Sequence, residues 1–72
     1  MTALERHEVA IFAERHNVPT GQAHTLPAIF SKIAKVGGKP VRAIIAQATY
    51  TNSALAEYVK ELAEQVAAEV PA

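Results

Sequence analysis

Thr25-Leu26-Pro27-Ala28-Ile29-Phe30-Ser31-Lys32-Ile33-Ala34-Lys35-Val36-Gly37-Gly38 is the stretch that decides the fold class. Its residues Leu26, Ile29, Phe30, Ile33 and Val36 recur at the 3.6-residue period and share one arc, while Ser31, Lys32 and Lys35 fall opposite. Thr25 is a favoured N-cap and Pro27 is tolerated in a first turn. Glycine adopts the left-handed conformation that ends helices, so Gly37-Gly38 is a strong stop. The pattern predicts an amphipathic helix ending at about Val36.

Upstream, Thr2 followed three residues later by Glu5 is a capping-box signature, predicting a first helix to about His16. Its apolar residues Leu4, Val9, Ile11, Phe12 and Ala13 scatter around the helical wheel, so the amphipathic signal is weak. Asn17-Val18-Pro19-Thr20-Gly21 ends it in a turn, because proline disfavours helix at the preceding residue.

Downstream, Pro40 occupies the favoured first position of a third helix, whose Val41, Ile44, Ile45 and Ala48 share a face. Thr49-Tyr50-Thr51-Asn52-Ser53 is a run of poor helix formers and good caps, which predicts a break. A last helix follows from about Ala54 to Glu69, with a stripe of Leu55, Val59, Leu62 and Val66 flanked by Tyr58 and Val70. Glu57, Lys60, Glu61 and Glu64 lie opposite, and Pro71 closes it. The alternative is one long helix over 40–69. The spacing of Val41, Ile45, Ala48, Asn52, Leu55, Val59, Leu62 and Val66 keeps a heptad register through the polar run. The expected fold is therefore all-α: a single domain over 1–72, built as a small bundle of four short helices or three with a long C-terminal one.

Composition narrows the class. A chain of 72 residues buries only about 60% of the surface its unfolded form exposes. Domains of that size gain stability from disulfides, a metal, close helix packing or self-association. Cysteine is absent, which removes disulfides and thiolate metal sites and leaves packing and a possible homodimer. Of the apolar half of the chain, fifteen residues are alanine, against eighteen Leu, Ile, Val and Phe together, so helices must approach closely over a thin core. No apolar run approaches the roughly 20 residues needed to span a bilayer, and the N-terminus lacks the basic-then-apolar order of a leader. A cytoplasmic protein with no membrane partner is expected.

Charge placement is the strongest functional signal. The seven carboxylates are Glu5, Glu8, Glu14, Glu57, Glu61, Glu64 and Glu69. The stretch between them carries Arg15, Lys32, Lys35, Lys39 and Arg42. Lys32, Lys35, Lys39 and Arg42 bracket the Gly37-Gly38 turn and form the expected partner-binding surface, suited to an acidic protein surface or nucleic acid. Leu55, Tyr58, Val59, Leu62 and Val66 form the other candidate, packing on the body or, as an oligomer interface, on a second copy.

Ile33-Ala34-Lys35-Val36-Gly37-Gly38-Lys39-Pro40-Val41-Arg42-Ala43-Ile44 resembles a helix-turn-helix core, with Ala34, Gly38 and Ile44 at the usual steric positions. The resemblance implies a DNA-binding regulator. Base-edge readout needs polar side chains on the second helix, and Val41-Arg42-Ala43-Ile44-Ile45-Ala46-Gln47 offers Arg42 and Gln47. Nothing points to an enzyme: there is no aspartate or cysteine, and neither Ser31 nor Ser53 has an evident base and orienting carboxylate. His7, His16 and His24 lack metal-ligand spacing, so neither a metal nor a cofactor is expected. The reading is a small non-enzymatic regulatory or adaptor protein, with a DNA-binding regulator and a structural oligomerisation domain as alternatives.

Overall fold

The computed structural model describes residues 1–69 and is all-helical across them. Helix α1 spans Ala3–Arg15, α2 is the single turn Thr20–Ala23, and α3 spans Leu26–Gly37. Helix α4 spans Val41–Ala46 and runs on into a π-helical turn, Gln47–Thr51; α5 spans Ser53–Glu69. Val70 and Pro71, expected to flank and close the last helix, lie outside the described residues.

Each boundary has a local chemical cause. The Thr2 hydroxyl accepts from the Glu5 amide at 3.1 Å, and the Glu5 carboxylate accepts from the Thr2 amide at 2.8 Å, completing the capping box. At the other end of α1, Asn17 takes a left-handed φ of 57°. The Val18 amide then reaches back to the Ala13 carbonyl at 2.9 Å, closing a Schellman turn. The expected plain turn over 17–21 holds an additional helical turn, α2, which Pro19 initiates. Thr25 precedes α3 as expected, but its hydroxyl donates to the Gln22 carbonyl at 2.7 Å, closing α2 rather than capping α3.

Gly37 and Gly38 play different parts. Gly37 is the last helical residue of α3, whereas Gly38 sits at φ 65° and lets the Lys39 amide bond the Ala34 carbonyl at 3.0 Å. A side chain in that conformation costs about 1–2 kcal/mol. A methyl at Gly37 meets nothing within 4 Å and removes unfolded-state freedom worth about 0.4–1 kcal/mol. Urea melts are therefore expected to move in opposite directions, with Gly38→Ala lowering the midpoint and Gly37→Ala raising it.

The polar run at 49–53 does break the helix, so the single long helix is not formed. The Thr49 hydroxyl donates to the Ile45 carbonyl at 2.7 Å, and the Asn52 amide reaches five residues back to the Gln47 carbonyl at 2.7 Å. That extra residue widens the last turn of α4. Asn52 then leaves helical geometry (φ −124°, ψ 91°), and its side-chain carbonyl accepts the Leu55 amide at 3.0 Å as the cap of α5.

The core lies where α1, α3, α4 and α5 meet. Phe12, Leu26, Phe30, Ile45 and Val59 are its largest fully buried side chains, and Phe12 meets Phe30 edge-on at 5.2 Å between centroids. The thin, alanine-rich core expected from composition takes a definite form in α5, where Ala56, Val59 and Ala63 make the buried line. Leu55 and Leu62 pack beside that line only half-buried, so the interior face is rotated from the expected Leu55–Val59–Leu62–Val66 stripe. Alanine allows the helix to approach its neighbours closely, and the larger leucines fill the seams at its sides.

Candidate partner-binding site

Lys32 and Lys35 stand on the exposed side of α3, Lys39 follows the Gly38 turn, and Arg42 lies in the first turn of α4. All four are exposed, and among the described residues the one ion pair is Lys60–Glu57 at 3.9 Å, which involves none of them. Lys32 borders α5, whereas Arg42 lies toward the first turn of α1. The Thr2 backbone amide is the main cause holding the Glu5 carboxyl below its ordinary range, and the positive charge of Arg42 adds a smaller pull.

A carboxyl whose folded-state pKa is depressed stabilises the fold above its unfolded pKa, and that contribution fades as pH falls through the folded value. The stability difference between the parent chain and Glu5→Gln is therefore expected to be present near neutrality and to shrink on acidification. Urea melts across pH read it directly; a difference that grows toward acid would contradict the capping-box account.

A groove of about 430 Å³ runs between α3 and α5. Its apolar walls are Ile29, Ile33 and Val36 from one helix and Tyr58, Leu62 and Val66 from the other, with Lys32 on its margin. Val66 also lines an adjoining hollow with Thr25, Ala28 and Ile29, so the C-terminal end of α5 lies beside the N-terminal end of α3 and the two helices run antiparallel. Val36 is 82% exposed and Tyr58 53% exposed, although both belong to a continuous apolar strip. Exposed apolar strips rimmed by polar residues mark interaction surfaces more often than scattered single residues do.

The five residues expected at an oligomer interface separate. Tyr58, Leu62 and Val66 line the groove; Leu55 packs half-buried on the core; Val59 is fully buried inside the chain and is unavailable to a partner. The contribution of Ile33 and Val36 is absent from the sequence reading, because the apolar arc of α3 is wider than the core it covers and its edge faces the groove.

A second, polar cleft of about 230 Å³ lies at the π-turn, where Arg15 and His16 meet Thr49, Tyr50 and Asn52. With its proton on Nε2, His16 donates to the Thr49 carbonyl at 3.2 Å, and its ring packs on Phe12 at 4.8 Å. The Arg15 guanidinium lies 5.3 Å from the centre of the Tyr50 ring. These contacts latch the end of α1 to the widened turn. His7 and His24 are exposed elsewhere.

Helix α4 buries Ile44 and Ile45, leaving Arg42 and Ala46 exposed and Gln47 half-exposed. A recognition helix in a major groove reads base edges through several polar side chains, and the outward strip of α4 supplies little beyond Arg42. No described helix is long and apolar enough to cross a membrane. Comparison with protein-family models, with curated proteins and with solved structures found no match. The fold thus defines a small all-helical domain, and the α3–α5 face is one of its concave apolar surfaces.

Proposed function

We propose that this chain is a non-enzymatic regulatory or adaptor protein that binds a macromolecular partner through the basic α3 corner and the groove beside it. The observation that carries this reading is the apolar groove walled by Ile33, Val36, Tyr58 and Leu62 with Lys32 at its margin. Apolar anchors there supply affinity, and the exposed lysines set orientation and the sign of the partner's charge. The fitting partner is an amphipathic protein surface with acidic residues beside apolar ones. A cytoplasmic location goes with this reading, consistent with a sequence that contains no cysteine.

Fluorescence titration with helical peptides tests it. An amphipathic acidic peptide is expected to bind, its basic counterpart to bind much more weakly, and Val36→Gln to reduce affinity about tenfold or more through the lost apolar contact. Because the anchors are apolar, binding should persist at moderate salt. Retention of a DNA duplex that falls steeply with salt and disappears in Lys35→Glu/Arg42→Glu would instead favour a nucleic-acid partner. Indifference of every ligand to Val36→Gln would refute the groove as the binding surface.

A further inference from the structure

We infer that the occupant of the α3–α5 groove is a second copy of this chain, docked about a twofold axis parallel to the two helices; this rests on the binding reading above. Charge layout supplies the argument. Helix α3 has no carboxylate and presents Lys32 and Lys35 outward, whereas α5 presents Glu57, Glu61 and Glu64 outward. Apart from Glu57, which reaches Lys60, these charges have no ion-pair partner among the described residues. Glu61 is three residues from Tyr58, so it lies beside the groove-lining row on the adjacent helical face.

Because α3 and α5 run antiparallel, such an axis sets α3 of one copy over α5 of the other without changing level along the helices. Lys32 of each copy then comes to the level of Glu61 of its partner, twice over, around a centre made by Val36, Tyr58 and Leu62 from both. An isologous interface requires this kind of self-complementarity. Lys32 edges the apolar groove on its α3 side and Glu61 flanks it on its α5 side, so a second copy can meet each charge with its opposite. The 12 residues of α3 span about 18 Å, and paired helices lie about 8–10 Å apart, which makes the face smaller than standard stable interfaces and in the range of weak, transient ones. The dimer is accordingly one that dissociates on dilution.

Sedimentation equilibrium on the full chain tests this. The mass is expected to rise from 7.7 kDa towards twice that value as concentration goes from micromolar to millimolar. Lys32→Glu and Glu61→Lys are each expected to weaken dimerisation at least about tenfold, since each sets like charges together twice. An equimolar mixture of the two variants restores both pairings and should dimerise like the parent chain. Val36→Gln should dissociate the dimer with its circular dichroism unchanged, because Val36 is exposed in the single chain. A parent chain that stays monomeric at millimolar concentration, a dimer insensitive to Val36→Gln, or a mixture that fails to recover would each overturn the inference. If the monomeric parent still binds the acidic amphipathic peptide, only the identity of the occupant falls; if it binds neither, the binding reading falls as well.

Discussion

Phe12→Ala is expected to remove about 3–5 kcal/mol of stability, a large share of what a chain of this size has. Helix α1 enters the core through two buried side chains, Val9 and Phe12, and Phe12 is fully buried. Truncating a buried phenylalanine costs about 3–5 kcal/mol from lost transfer energy and the cavity left behind. Total stability at 0.05–0.15 kcal/mol per residue is roughly 4–11 kcal/mol for a chain of this length. The ring also meets Phe30 edge-on at 5.2 Å and supports His16 at 4.8 Å. Its loss therefore loosens the latch on the Thr49 carbonyl and the α1–α3 contact together. Leu4→Ala on the same helix is the control: Leu4 is 53% exposed, and a change of no more than about 0.5 kcal/mol is expected. Urea melts followed by circular dichroism compare the two. Equal, small shifts would show that α1 is held by something other than its Phe12 contact.

Which parts of this architecture could be read from residues alone follows from where the information is local. The α3 period, the Thr2–Glu5 box and the Gly38 stop are each determined within one or two turns of chain, and each forms as expected. Helix α1 is different. Its apolar residues do not line one face, so only the tertiary environment selects Val9 and Phe12 for burial and leaves Leu4 outside. The break before α5 was legible in Thr49-Tyr50-Thr51-Asn52-Ser53, but its π-helical form was not. That form depends on Thr49 bonding back to Ile45 and on His16, more than thirty residues away, reaching the Thr49 carbonyl. Likewise Lys32, Lys35, Lys39 and Arg42 were legible as a run without acids. That Lys32 would border α5 while Arg42 turned to the first turn of α1 depends on how α4 packs, and no periodicity encodes it. The groove has two walls from segments about twenty residues apart; each apolar stripe was visible, but not which part of each would stay uncovered.

Ala63→Leu is expected to destabilise the fold by about 1–3 kcal/mol, because a buried position with no free volume accepts extra methylenes only by moving its neighbours. Ala63 is fully buried, Ala56 is 1% exposed, and α5 packs through them against α2, α3 and the π-turn. For a domain of this size that cost corresponds to a melting point lower by roughly 4–24 °C, at about 4–8 °C per kcal/mol. Ala68→Leu, exposed on the same helix, serves as the control for helix propensity and is expected to be close to neutral. The two substitutions also separate packing from binding. Alanine at 56 and 63 sets how closely α5 approaches the body, and that spacing sets the width of the groove between Val36 and Leu62. An Ala63→Leu chain that still folds should therefore lose affinity at the α3–α5 face, although no residue lining the groove has changed, while Ala68→Leu keeps it. Unchanged melting in Ala63→Leu would mean that a void adjoins that side chain, and the close approach of α5 would then need a cause other than its alanines.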